Sequence, residues 1–193
     1  MMKFDNASVE EVWQYFPKLK IVDGNICGEI EFFSKYTQNH RGQWVIESCE
    51  PEQEDCLHGR YNIKIVPNEL RVPRVYEMGG KIKSFAKKIG MQLIDLHVNR
   101  DDSCCLDFPL NIHPMLSPKE FILSKVYSFF VWQAYYEKFH IPPPVGEYSH
   151  GKKEAIQEFL KDLTSLKRND SCTCGSGKKF KKCCMKILNK NHQ

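Results

Sequence analysis

The residues best suited to chemistry in this chain are its nine cysteines. Four of them stand near the C-terminus as Cys172-Thr173-Cys174 and Cys183-Cys184, with eight residues between the two pairs. Two close thiol pairs at that spacing can wrap one tetrahedral Zn²⁺ with four thiolates. Gly175 and Gly177 let the chain turn tightly after Cys174. Phe180, the one large apolar residue of the loop, can cover a side of the ion. Lys178, Lys179, Lys181 and Lys182 offset the negative charge that four thiolates leave on zinc, and favour their deprotonation. Four sulfurs leave no open coordination position, so the expected role is structural rather than catalytic. Without metal, the same residues would be two reactive thiol pairs or a disulfide cluster.

A second group lies at the centre. His97, Asn99, Cys104 and Cys105 fall within nine positions, with Asp101 and Asp102 among them and Asp107 two residues beyond. A cysteine on a loop can accept an acyl group and pass it on, provided a nearby donor steadies the oxyanion. Asn99 can supply that donor through its amide. His97 is expected to fix the loop rather than act as base. The aspartates are expected to raise a neighbouring thiol's pKa. Adjacent side chains of an extended segment point opposite ways, so one of Cys104 and Cys105 should face the core. Burial of both as small core residues is the simpler alternative. Elsewhere, Cys49 and Cys56 flank the acidic loop 50–55, and a metal pair with His58 is set aside as incidental. Cys27 reads as core, and His40, His140 and His150 as surface or unpartnered. No phosphate-binding glycine loop and no Ser-His-Asp constellation is legible.

Two resemblances organise these observations. The string from Cys172 to Cys184, with its Gly-Ser-Gly-Lys-Lys-Phe-Lys centre, resembles the SEC-C motif; Thr173 stands where proline is frequent. That resemblance implies zinc and a docking role, as in the bacterial preprotein translocase motor that carries such an appendix. The segment 72–109 resembles the heart of a ubiquitin-conjugating enzyme. Pro73-Arg74-Val75 is similar to the family's Pro-x-Val, His97-Val98-Asn99 to its His-Pro-Asn, and Cys105-Leu106-Asp107 to the sequence holding its thioester cysteine. The run 129–144, with Trp132 and Tyr135-Tyr136-Glu137, and then Gly146-Glu147 and His150, looks like the bacterial branch found beside antiviral signalling systems. The likeness covers 10–165 loosely. Val98 replaces the tripeptide proline, His97 lies only eight positions before Cys105, an extra helix is expected between Val75 and His97, and the later Trp-x-Pro is absent. The resemblance implies a transferase in which Cys105 holds a modifier as a thioester while Asn99 and His97 assist. Its partners would be an activating enzyme, the modifier and a target protein. The alternative is an inactive adaptor of the same fold, whose tail binds protein or nucleic acid.

These groups need a scaffold. A short helix is expected at 8–16, capped by Ser8 and ended by Pro17. Three strand-like runs follow at 28–36, 43–48 and 61–66, the last two with alternating apolar residues, which suits an antiparallel meander. The segment 72–76 reads as extended, 81–90 as a helix, and 93–98 as a brief strand. The run 121–139 is apolar on nearly every face and should be a helix packed on the sheet, stopped before Pro142. A last amphipathic helix is expected at 152–166, and 167–171 as a linker. The fold class is therefore α+β, with a ubiquitin-conjugating-like domain at 1–166 and a zinc-binding tail at 167–193.

Charge divides the same way. From Ser165 onward there are eight basic residues against one acid, a net +7, which leaves −3 on the rest of a chain whose total is +4. Such a tail attracts polyanions, so weak nucleic-acid contact is expected there. The odd cysteine count argues against a closed disulfide framework. Residues 1–16 lack the pattern of a signal peptide, and 121–139 carry too many polar residues to span a bilayer. A cytoplasmic protein with thiols reduced or metal-bound is the expectation, with no membrane partner.

Overall fold

The structure, a computed structural model, describes residues 4–68, 72–106, 117–146, 166–170, 178–183 and 185. They belong to two units, one within 1–106 and 116–148, the other within 107–115 and 149–193. The first unit is α+β: helix α1 (Asn6–Trp13), strands β1 (Lys20–Val22), β2 (Asn25–Gln38), β3 (Trp44–Ser48), β4 (Leu57–Val66) and β5 (Arg74–Glu77), then helix α2 (Lys81–Ile89). A 3₁₀ turn (Leu93–Leu96) precedes the central cysteines. Helix α3 (Pro118–Phe121) passes through a π-helical stretch (Ile122–Val126) into α4 (Tyr127–Phe139). The helix expected at 152–166 lies almost wholly outside the described residues.

The sheet is antiparallel throughout and β2 is its axis. β1 pairs with the start of β2, β4 with Ile26 to Ser34, and β5 with β4. β3 pairs with the far end of β2, from Ser34 to Gln38. Ser34 is therefore the register partner of both Ser48, which ends β3, and Leu57, which begins β4. The chain leaves the ladder after Ser48 and rejoins it at Leu57 against the same residue.

One face of the sheet forms the core. β4 alternates cleanly, with Leu57, Tyr61, Ile63 and Ile65 buried and His58, Arg60 and Asn62 exposed. That is the period of a strand with one wet side. Ile26, Ile30 and Phe32 of β2 join the buried set, as do Phe129, Phe130 and Trp132 of α4. Rings of the two layers touch: Tyr61 lies 4.6 Å from Phe130, and Phe32 meets Tyr127 edge-on at 5.3 Å. Ser34 is fully buried, and its hydroxyl is satisfied by Tyr127 Oη at 2.5 Å. Lys81 ties α2 to α4 through Glu137 at 3.0 Å while its ammonium lies over the Tyr61 ring.

Several boundaries differ from expectation. α1 starts at Asn6, so Ser8 lies inside it rather than at its cap. The long apolar helix starts earlier, because Ser117 and Glu120 form a reciprocal capping box with Pro118 as first helical residue. It ends at Phe139, where His140 turns left-handed ahead of Pro142. The segment 93–96, read as a strand, is a 3₁₀ turn. Cys27 is half-buried, not core, because it alternates with buried Ile26 and so turns to the other face of the sheet.

That other face carries a charge cluster. Glu29 pairs with Lys18 and Arg60, and Glu31 with Lys18, Arg60 and His58. Hydrogen bonding from Lys18 holds the Glu29 carboxyl below its ordinary value of 4.5, and hydrogen bonding from His58 does the same for Glu31. A carboxylate with a depressed folded pKa stabilises the fold above its unfolded pKa, and that contribution is lost as pH falls through the folded value. The urea midpoint is expected to drop between pH 5 and pH 3 more in the parent than in a Glu29→Gln/Glu31→Gln variant. Added salt should shrink the difference, because these groups face water.

Candidate functional site

The central candidates fall on one β-hairpin. After the 3₁₀ turn, His97 takes a left-handed conformation (φ 58°) and reverses the chain. Val98 then pairs antiparallel with Cys104. The turn is closed by Asn99 N–H donating to the Ser103 carbonyl (2.8 Å) and by Asp102 N–H donating to the Asn99 carbonyl (3.0 Å). Asp102 is itself left-handed, at φ 64°. The backbone N–H of Cys105 donates to the His97 carbonyl at 2.7 Å, and that of Cys104 to the Val75 carbonyl at 2.7 Å. The hairpin is thus fastened to β5, with His97 and Asn99 on one arm and Cys105 on the other, opposite His97. Their spacing, tight in sequence, is that of one tight turn.

Burial separates the two cysteines. Cys104 is buried at 7% exposure, and Cys105 is half-buried with its thiol outside any disulfide. Burial pushes the Cys104 thiol pKa far up, with Glu77 adding to it. A thiol held neutral in that way is a poor nucleophile. Cys105 is the less buried of the two.

The polar frame joins Asn99, Asp101 and Asp102 through Ser103 and Lys83, which sequence reading passed over. The Asn99 side-chain amide donates to Ser103 Oγ at 3.1 Å, and Ser103 Oγ donates to Asp101 at 2.6 Å. Asp101 also accepts the Ser103 backbone N–H and pairs with Arg74 at 3.1 Å. The Ser103 hydroxyl is the largest cause of its lowered pKa. Asp102 pairs with Lys83 at 2.8 Å. The aspartates were expected to bathe the cysteines in negative charge; instead Asp101 and Asp102 each face a cation, and the shift at Cys104 comes chiefly from burial. Asp107 lies outside the described residues. The spacing Asp101-x-Ser103, a common side-chain-to-backbone turn, is the signal that points to this frame.

His97 is positioned by packing. It is 1% exposed, and its ring meets Trp132 edge-on at 4.6 Å. Gln133, also buried, donates to the Leu96 carbonyl at 2.7 Å. α4 therefore fixes the chain on the N-terminal side of the hairpin.

Of the tail candidates, Cys183 is described; Cys172, Cys174 and Cys184 lie outside the described residues. Phe180 begins a 3₁₀ turn (Phe180–Lys182) and is 5% exposed, and Cys183 caps that turn. Phe180 N–H donates to the Asp170 carbonyl and Lys181 N–H to the Arg168 carbonyl. The segment read as a linker is thus hydrogen-bonded into the tail at 168–170. Among the described residues no group of three metal-ligating side chains gathers. What the tail offers zinc is four thiol donors, soft ligands of the kind that ion takes, with Cys183 held on a turn whose apolar residue is packed.

Two remaining cysteines do more than expected. Cys49 and Cys56 form a disulfide. His58 takes no part, since it stacks on Phe33 at 4.5 Å and bonds Glu31. The thiols of this chain are therefore not all reduced or metal-bound. No helix among the described residues is long and apolar enough to cross a membrane.

Comparison with known proteins gives a name to the tail. Residues 168–186 match the SEC-C motif. The chain is 49% identical over 37 residues to "Uncharacterized protein YecA" of Escherichia coli (strain K12), covering 19% of this chain and 17% of that protein. It is 43% identical over 54 residues to "Protein translocase subunit SecA" of Alkaliphilus oremlandii, covering 28% of this chain and 6% of that one. "UPF0225 protein VP1145" of Vibrio parahaemolyticus is 49% identical over 41 residues, covering 20% and 25% respectively. The chain thus spans a quarter or less of each of these relatives, a short appended module's worth. No solved structure matches it.

Proposed function

We propose that the body is a ubiquitin-conjugating-like thioester carrier and the tail a zinc-bound docking element. The observation that carries the reading is the hairpin whose one arm carries His97 and Asn99 and whose other arm carries half-buried Cys105, bonded through its N–H to the His97 carbonyl. In this reading an activating enzyme presents a modifier as a thioester. Cys105 Sγ gives up its proton and attacks the carbonyl, the bond to the enzyme's sulfur breaks, that departing thiolate takes up the proton, and the acyl group stays on Cys105. Asn99 steadies the oxyanion with an amide hydrogen, its carboxamide held in place by Ser103. An amine then takes the acyl group and Cys105 leaves as thiolate. With activating enzyme, ATP and modifier supplied, the expected result is a reductant-labile adduct, absent in Cys105→Ser and retained in Cys104→Ser. An adduct that survives Cys105→Ser would overturn the assignment.

Cys172, Cys174, Cys183 and Cys184 would hold the zinc, whose contribution is a fixed tetrahedral cross-link. Native mass spectrometry should find one zinc per chain, lost in Cys183→Ser; a metal-free native chain would remove the site. A second reading, an inactive adaptor, is favoured by the engagement of the Asn99 amide with Ser103 Oγ, which turns a donor needed for the oxyanion to the loop itself. It predicts no adduct under any condition. Binding of the tail to nucleic acid would show a steep fall with salt, whereas binding to a protein partner through specific contacts would not.

A further inference from the structure

We propose that Cys49–Cys56 is a reversible thiol–disulfide exchange site, which locks and releases the acidic loop between them. The bond sits at the base of the excursion from the sheet, where Ser48 and Leu57 both meet Ser34. Between the cysteines lie Glu50, Glu52, Glu54 and Asp55, four like charges in six residues, and all six are exposed. Such a segment repels itself and has little to bury, so it holds one shape only where something holds it.

Two features hold it besides the backbone turns at Gln53 and Cys56. One is the disulfide. The other is Lys138, near the end of α4, whose ammonium donates to the carbonyls of Glu54 (2.8 Å) and Cys56 (3.1 Å). Lys35 reaches Asp55 only at 3.8 Å. The two sulfurs are unequal: Cys49 is half-buried, whereas Cys56 is 9% exposed. An external thiolate therefore attacks Cys49 Sγ, and Cys56 leaves as a thiolate, with the Lys138 cation on its own carbonyl. The second thiol of a dithiol reductant then displaces Cys49. The S–S bond is broken, two electrons and two protons pass to the protein, and the reductant becomes a disulfide. Once open, the loop keeps the Lys138 contacts but loses the closure that made them persistent.

The test uses the full chain and a glutamate-specific protease. Intact mass after alkylation, with and without a dithiol, counts the two thiols. The cleavage rate at Glu52 and Glu54 is then measured in both states. The expected result is at least tenfold faster cutting in this loop after reduction, with far-ultraviolet dichroism unchanged, and return to the slow rate on mild re-oxidation. The Cys49→Ser/Cys56→Ser variant should cut at the fast rate with or without the dithiol, a control that the tail cysteines cannot mimic. Equal cutting in the two states, or failure of the two cysteines to form the bond under mild oxidation, would overturn the proposal.

Discussion

Gly28→Val is expected to unfold much of the body's stability, at more than about 3 kcal/mol. Two causes combine at this position. Its φ of +141° is one that side-chain-bearing residues rarely adopt, and a Cβ there would stand 2.2 Å from the Lys18 carbonyl oxygen and 3.1 Å from Leu19 Cα. Those neighbours are backbone, so no rotamer change relieves the clash. Lys18 and Leu19 enter β1, and Leu19 is 1% exposed, so the strand cannot lift away without opening the core. Gly42→Ala is the control. It too has positive φ, at +72°, but nothing lies within 4 Å of the added carbon. Only the conformational cost remains there, about 1–2 kcal/mol. Urea unfolding of the two variants separates crossing from conformation; equal losses would show that the close approach at Gly28 contributes nothing.

Trp132→Ala should cost about 3–5 kcal/mol and loosen the cysteine hairpin as well. The side chain is 1% exposed, stacks on Tyr136 at 5.2 Å, and meets the His97 ring at 4.6 Å. Its indole N–H donates to the Gly146 carbonyl at 3.2 Å. Removing the ring leaves a cavity directly beneath His97, whose carbonyl receives the Cys105 N–H. Amide exchange in residues 97–105 is therefore expected to quicken more than exchange in β4, and Cys104 should become open to alkylation. Trp132→Phe keeps an aromatic under His97 and gives up the hydrogen bond, for about 1 kcal/mol. If alanine and phenylalanine loosen the hairpin equally, packing against His97 is not what holds it.

The parts of this fold that were legible share a cause. β4 reads as a strand because Tyr61, Ile63 and Ile65 alternate with polar residues, and one buried face is what alternation records. α4 was found from its apolar surface, since a helix covered by sheet and aromatic neighbours needs little polarity. The 3₁₀ turn at Leu93–Leu96 was mistaken for a strand because Leu-Ile-Asp-Leu offers an apolar run too short to carry a helical period. The capping box was readable as Ser117-Pro118-x-Glu120 but is a local signal, easily passed over beside a long apolar run.

At the candidate site the same division holds. His97, Asn99 and Cys105 were singled out by residue type, and a tight hairpin was not anticipated because neither Asp102 nor His97 is glycine. Local hydrogen bonds and the ion pairs of Arg74 and Lys83 stand in for the missing conformational ease. The pairing of Cys49 with Cys56 was invisible for another reason. It depends on two strand ends meeting one residue of β2, which is a fact of register and leaves no mark in spacing.

That shared partner has a consequence for how this protein can vary. Because the ladder closes on Ser34 from both sides of the gap, the sheet does not measure the length of chain between Ser48 and Leu57. Insertions or deletions there change neither strand direction nor which side chains face the core. The first unit thus carries a port in the middle of its longest hairpin, where new sequence can be tried without renegotiating the fold.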